Sequence, residues 1–495
     1  MQGRKQYREW SPDQQYLLPP SPSDWLPDDD LAYFILDIVM ELDLRRIERS
    51  IRRKDPRGVR PYHPRMMTAL LLYGYSTGVC SSRKIERATY RDVAFRVISG
   101  GQHPDHTVIS EFRRRHLPAL KALFLQSVKL CQQAGMLQLG RVALDGTKVQ
   151  GNASKHKAMS YERMLKTEAE LEEEIKKLLK EAEQTDREED KRFGKGGHGG
   201  SLPKELQQRE QRLARIREAK EKLEQEAKEA RRNELQERAE RQKKKAKADP
   251  DPVQRNRAKA KAKKNEREAA ELTKEMRARQ PRSGERKQSS WPQHQTPHTT
   301  TGAPTAKAQH NFTDPDSRIM KRDGAYLQGY NAQTVVEDSH QVIVAIGLTN
   351  QAPDQQHLPP MLEQVKANTG QYPKELLADS GYWDEKHVEY CEQRNVDPYI
   401  ATGRLKHGES PPSTRGRPPA NLSVRERMSR KLRTKKGRET YRHRKHIVEP
   451  VYGQIRETQG LRRFLLRGLE KVYGEWALLS TGHNLRKLHL ATREA

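Results

Sequence analysis

Two short apolar runs constrain most strongly what this chain can fold into, because each ends in an aspartate and a turn. Val142-Ala143-Leu144 is followed by Asp145 and Gly146, and Leu376-Leu377-Ala378 by Asp379, Ser380 and Gly381. A short apolar run bounded by turn residues reads as a buried strand. Each aspartate is therefore expected as the last residue of its strand, pushed out where the chain turns. A third acid, Glu449, follows His446-Ile447-Val448 and precedes a helical stretch. Two strand-end aspartates and a late glutamate offer the hard oxygen donors that hold two divalent cations for chemistry on phosphodiesters.

The rest of the chain is too polar to be one uniform globule. Of 495 residues, 33% are hydrophobic and 33% charged, so compact segments must alternate with solvated ones. The formal net charge of +28 points to a polyanionic partner, nucleic acid first. Residues 404–467 carry 19 Lys/Arg against 5 Asp/Glu, half of that excess in a window that also contains Glu449. The three cysteines form no CxxC pair, which argues against a disulfide framework or a cysteine zinc site. No signal-peptide pattern and no membrane-length apolar run are seen, so a soluble, intracellular chain with no membrane partner is expected.

Four regions are expected along the chain. Residues 1–137 read as a helical N-terminal domain, with helices beginning near Leu31, Pro64, Ser81 and Asp105. The last ends in Phe112-Arg113-Arg114-Arg115-His116. Short helices, a Gly100-Gly101 turn and a basic final helix suit a helix-turn-helix that places Arg113, Arg114 and Arg115 on DNA; a small bundle with solvated arginines is the alternative. Residues 138–155 and 311–490 read as a split α/β layer: a strand at Asp145, a hairpin of Tyr326–Val335 and Val342–Leu348, a strand at Asp379, and late helices. Between them, residues 156–242 show a 3-4 apolar alternation through Leu171, Ile175, Leu213, Ile216 and Leu223, broken by Gly194 to Gly200, as in an antiparallel helical hairpin. Residues 243–310 lose that period and read as a basic disordered linker. The insertion is compatible with the core only if its two ends leave the sheet close together.

Cations surround Glu449 at helical spacing. Lys445 lies one turn before it and Arg456 two turns after, with Arg442 and Arg444 upstream, a pattern suited to gripping phosphates beside metal ions. Among competing acids, Asp314, Asp316, Asp323, Asp384 and Glu385 look like turn or cap residues, and Asp354, just beyond a strand, is the strongest rival. Trp383 can stack on an unpaired base or pack into the core.

Long stretches of the chain carry a resemblance. VALDGTKVQGNASKHKAMSY, TDPDSRIMKRDGAYLQGYNAQTVV, ELLADSGYWDE and YRHRKHIVEPVYGQIRETQGLRRFLLRG, together with the N-terminal stretch from Met66 to His116, resemble the DDE-type transposases of bacterial insertion sequences. The resemblance implies an RNase H-like mixed α/β core in which the first and fourth strands bring two aspartates together. It implies Asp145, Asp379 and Glu449 as catalytic, metal-binding residues and two Mg²⁺ ions, with Mn²⁺ as the alternative. It also implies double-stranded DNA partners, both element ends and target, a homodimer on DNA and a cytoplasmic, nucleoid-associated location. The implied activity is metal-dependent cleavage and strand transfer at terminal inverted repeats. A non-catalytic DNA-binding protein derived from a transposase is the alternative, and a coiled-coil scaffold would explain only the insert. Many relatives show Tyr-x2-Arg-x3-Glu-x6-Lys around the glutamate; here those places hold Arg442, Lys445, Glu449 and Arg456, with Tyr441 adjacent to the missing tyrosine. Arginine and lysine are not equivalent at phosphates.

Overall fold

Capping chemistry sets the first helices. In the computed structural model, which describes residues 22–52, 60–193, 204–279, 291–403, 413–417, 419 and 421–494, Asp30 accepts from Ala32 N at 2.8 Å and starts α1 (Leu31–Glu41). After α2 (Arg45–Arg52), Pro64 opens α3 (Pro64–Thr77), a position where its missing N–H costs no helical bond. α4 (Ser82–Arg91) and α5 (Val93–Ser99) meet at Asp92, which caps α5 through Phe95 N. α6 (His106–Gln133) does not end at His116 as expected. It runs on past Pro118, because Leu120, Leu123, Phe124 and Val128 continue an apolar stripe that is buried in the core.

The sheet explains the position of the two aspartates. β1 (Arg141–Gln150) pairs antiparallel with β5 (Ala325–Glu337) over its length and parallel with β7 (Glu375–Ala378) only as far as Leu144↔Ala378. β7 pairs parallel with β8 (Asp397–Ile400), and β5 also pairs with β4 (Arg318–Arg322) and β6 (Ile343–Thr349). The strand order is β4-β5-β1-β7-β8, with β6 on β5. Setting aside the short β4, which the sequence did not signal, the first and fourth strands are neighbours in a mixed sheet. Asp145 is not the last residue of its strand. It lies in the middle of β1, because the pairing with β5 continues through Gly146↔Gln333 to Gln150↔Gly329 after β7 has stopped.

The insert leaves and re-enters the sheet through one clasp, β2 (Ala158–Ser160) against β3 (Gln309–Asn311). From it run α7 (Tyr161–Phe193), α8 (Lys204–Ala248) and α9 (Pro252–Arg279). Met164, Leu171, Leu213, Ile216 and Leu223 form a separate small core where α7 meets α8, as the 3-4 alternation predicts. The expected disordered linker is corrected over 252–279. Ala, Lys and Arg are strong helix formers, and α9 packs antiparallel on α8 through Ala258, Ala262 and Ala269. Trp291, from the same expected linker, lies over β6 at Gly347, where an added Cβ would come within 2.6 Å of its ring. The glycine break at 194–200 lies outside the described residues.

The late helices close the core. α10 (Leu358–Thr369) and α11 (Glu385–Glu392) flank β7 in sequence; α12 (Val424–Arg433) leads into α13 (Lys435–Glu457), which crosses β1, and α14 (Leu469–Glu494) follows. α14 buries Trp476, Leu478, Leu479 and Leu485 against α3, α6 and β6, so the N-terminal helices share one core with the sheet. α14 packs tightly on α6 at Gly474, where a Cβ would stand 2.6 Å from Leu117 Cγ. Alanine would gain about 1 kcal/mol in helix propensity but lose about 1–3 kcal/mol to overpacking against a branched carbon. Gly474→Ala is expected to lower the guanidinium unfolding midpoint. An unchanged or higher midpoint would contradict this packing.

Candidate active site

Asp145 and Asp379 follow the last parallel pair, Leu144↔Ala378, so they are the next residues in register on strands roughly 5 Å apart. Asp379 turns the chain: its Oδ1 accepts from Gly381 N at 2.8 Å and caps the 3-10 turn Ser380–Tyr382. Asp145 Oδ1 accepts from Gly146 N at 2.8 Å. Burial pushes the Asp145 carboxyl up to about 6, against the pull of the Arg444 guanidinium and the Gly146 N–H, and the Asp379 and Asp354 carboxylates push the same way as burial.

α13 lays one stripe on this strand. Arg444 Nη1 donates to Asp145 Oδ2 at 3.2 Å, the Tyr452 hydroxyl donates to the Asp145 carbonyl at 2.8 Å, and Arg456 Nη2 donates to Thr147 Oγ1 at 2.7 Å. Residues 444, 448, 452 and 456 recur every four positions in a row that drifts 40° at each step, so Arg456 stands about 120° round from Arg444, at the edge that also carries Glu449. Because the Tyr452 proton is used on Asp145, the Thr334 hydroxyl 2.8 Å away must donate to Tyr452. Arg444 Nε is buried with no hydrogen-bond partner.

Glu449 is exposed on the flank of that helix. Five residues after Arg444, it is turned about 140° from it at 100° per residue, while Val448, Val451 and Tyr452 fill the buried face. The structure therefore brings Asp145 and Asp379 together and leaves Glu449 apart: the three carboxylates do not have ligand atoms within 4.8 Å of one another. The one described group that does is Glu86, Asp105 and His106, where Asp105 is already the cap of α6. Arg442, Lys445 and Arg456 lie on the same flank as Glu449, within about 60° on the helical wheel.

Behind the aspartates, on the face carrying Gly146 and Lys148, sequence reasoning missed a polar network. Asp354 Oδ2 accepts from Lys148 Nζ at 2.6 Å, and its Oδ1 accepts from Asn331 Nδ2 at 2.7 Å and Gln333 Nε2 at 2.8 Å. Tyr382 donates to Gln333 Oε1. A Cβ on Gly146 would stand 2.3 Å from Gln333 Nε2 and 2.9 Å from Asp354 Oδ1, which is why glycine follows Asp145. The signal available in the sequence was the pair Asn331 and Gln333 alternating with Tyr330 and Ala332 in the hairpin strand.

The N-terminal arginines do not form a free basic helix. Arg113 is buried and donates to the Tyr75 hydroxyl and the Cys80 carbonyl, both at 3.0 Å, so it is a packing residue and its expected place on DNA is corrected. Arg114 and Arg115 are exposed and both bond Glu111. Trp383 is half-buried against the core, the second of its two expected places.

A family model described as a transposase domain (DUF772) matches residues 20–115, and one described as a transposase DDE domain matches residues 414–489. The chain carries the domains of a DDE-type transposase. The DDE match spans α12, α13 and most of α14, and so includes Arg442, Arg444, Lys445, Glu449 and Arg456. No curated protein and no solved structure matches. Transposases act on DNA, and domains of the DDE class belong in general to metal-dependent DNA-cutting enzymes. No helix among the described residues is long and apolar enough to cross a membrane.

Burial of Asp145 carries a stability consequence. Its folded pKa, about 6, lies above the ordinary 3.8, so the folded state binds the proton more tightly. The stabilisation this gives is complete below about 3.8 and is lost as pH rises through about 6, worth at most about 3 kcal/mol. Asp145→Asn removes the ionisation while keeping an oxygen for Arg444. In chelator, the variant is expected to melt at or above the wild-type temperature at pH 7.5, the difference closing near pH 4. A variant less stable at pH 7.5 than at pH 4, relative to wild type, would contradict this.

Proposed function

We propose that this transposase binds the terminal inverted repeats of its own element, cuts phosphodiesters there with divalent metal, and joins the freed 3′-OH to target DNA. The observation that carries the reading is the in-register pair Asp145 and Asp379 at the point where the parallel ladder stops, beneath a helix whose exposed flank is basic. Asp145, Asp379 and Glu449 are the catalytic and metal-binding residues of this reading, with two Mg²⁺ ions, or Mn²⁺ in their place. The donor set fits such ions: two adjacent carboxylates offer hard oxygens, and Mg²⁺ retains water in its other positions. Glu449 enters as a flexible exposed side chain from the flank. Bound there, the ions would supply an activated oxygen nucleophile and neutralise the leaving oxygen.

The chain's own residues do the rest. Tyr452 and Thr334 fix the β1 backbone at Asp145, and Gly146 lets that strand lie against the Asp354 network. Arg442, Lys445 and Arg456 grip phosphates on either side of the cut. The catalytic unit is split as 138–155 and 311–490; residues 1–137, with Arg114 and Arg115 exposed, take part in binding the ends. A homodimer holds two ends together.

Supercoiled DNA carrying the element ends is expected to be nicked at them in Mg²⁺ and not in chelator. Asp145→Asn, Asp379→Asn and Glu449→Gln should each lower cleavage on the order of 1000-fold, the equivalent of several kcal/mol of charge stabilisation, with end binding retained. Wild-type rates in the aspartate variants would refute the assignment. A second reading, a non-catalytic DNA-binding descendant, is favoured by Arg444 on Asp145 and by the separation of Glu449; end binding without nicking in either metal would select it.

A further inference from the structure

The longest helix among the described residues, α8, ends in a cluster of cations that the site does not use. α8 is rooted on the sheet by Glu226, which accepts from Thr296 at 2.9 Å and Arg318 at 3.2 Å, and by Glu234 facing His298 at 3.2 Å. From Glu234 to its end at Ala248 the helix runs another 14 residues, about 21 Å at 1.5 Å per residue. There it pairs with α9 along a seam of Ala239, Ala246, Ala258 and Ala262.

Charge divides this arm in two. Residues 204–240 carry 11 Lys/Arg against 10 Asp/Glu, the balance of a solvated helix laced by ion pairs. Residues 241–267, at the tip, carry 12 against 3. Lys244, Lys245, Lys247, Arg255, Arg257, Lys259, Lys261 and Lys263 have no acidic partner within 4 Å among the described residues, although Lys243 pairs with Glu266 nearby. All but Arg255 are exposed. On α9 the cations at every second residue fall into two rows flanking the alanine seam, at 100° per residue. Holding so many like charges together costs self-repulsion that a mere spacer has no reason to carry.

The composition of the tip selects its partner. No aromatic residue lies within 241–267, so the tip offers no ring on which single-stranded bases stack. There is no apolar face to enter a lipid surface, since the alanines are spent on the seam. What remains is the phosphate backbone of a duplex, read without regard to sequence. We propose that the tip of the α8–α9 arm is a second DNA-binding surface that grips duplex phosphates beyond the reach of the sheet. This rests on the reading of the chain as a transposase acting on DNA. The duplex is supplied either by the DNA flanking an element end or by the target.

The test uses the full chain and a variant with those eight residues changed to glutamine, which keeps helix propensity. Circular dichroism and melting must match wild type; if they do not, a variant with only Lys259, Lys261 and Lys263 changed replaces it. Binding of a labelled end duplex is followed over a salt series. With half of the eight cations on phosphates, the slope of log K against log salt should become shallower by about 4 and affinity at physiological salt should fall more than tenfold. Nicking at saturating protein should be unchanged. A difference that grows as the flanking duplex is lengthened assigns the flank; one seen only when a second duplex is captured assigns the target; both support the proposal. Equal slopes and affinities on long duplexes and equal capture overturn it, and so does a loss confined to vesicles of phosphatidylserine. Wild-type protein that binds no duplex would overturn the transposase reading itself, and the arm with it.

Discussion

The structure depends on a ladder that stops. β7 pairs with β1 for four residues and then turns, while β5 continues along the other edge. That difference in length frees one side of β1 at Asp145 and delivers Asp379 beside it. Two carboxylates at adjacent strand positions repel each other and resist burial. The fold answers with a cation from α13, and it spends a tyrosine hydroxyl on the backbone so that the strand cannot slide. Pairing, burial and countercharge are parts of one arrangement: lengthening β7 would pair away the edge on which the acids stand.

Opposite faces of β1 do different work. Asp145 and Thr147 face α13, whereas Gly146 and Lys148 face Asn331, Gln333 and Asp354. The buried amides and Asp354 are satisfied by one another, and a satisfied buried network is rigid because breaking it strands a polar group. The aspartates therefore stand on a stiff support. Glu449, by contrast, lies on a helical flank where the side chain is free to reorient.

Much of this was legible in the residues. The apolar runs before Asp145 and Asp379, the hairpin and the 3-4 alternation at Leu213 and Ile216 all report burial, which apolar residues state directly. What stayed hidden was written in polar or neutral residues. Asp145 reads as a strand end because Gly146, Thr147 and Lys148 look like a turn, yet they continue a strand whose partner is polar. Arg113 reads as a surface charge because nothing local shows that Tyr75 and Cys80 await it. α9 reads as disordered because its seam is alanine, too small to stand out among lysines. Arg444 was visible as a cation, but its acid lies 299 residues away in sequence.

The clasp of β2 and β3 bears on how such a chain assembles. It ties Met159 to His310, so about 150 residues of insert begin and end at one pair of hydrogen-bonded strands. If the helices of the insert form first from local contacts, the clasp shortens the tether between β1 and β5 from a long loop to about 20 residues, 151–157 and 312–324, and most of the entropy of closing that loop is lost before the sheet forms. The strand that carries the first aspartate can then wait for its partners without searching for them.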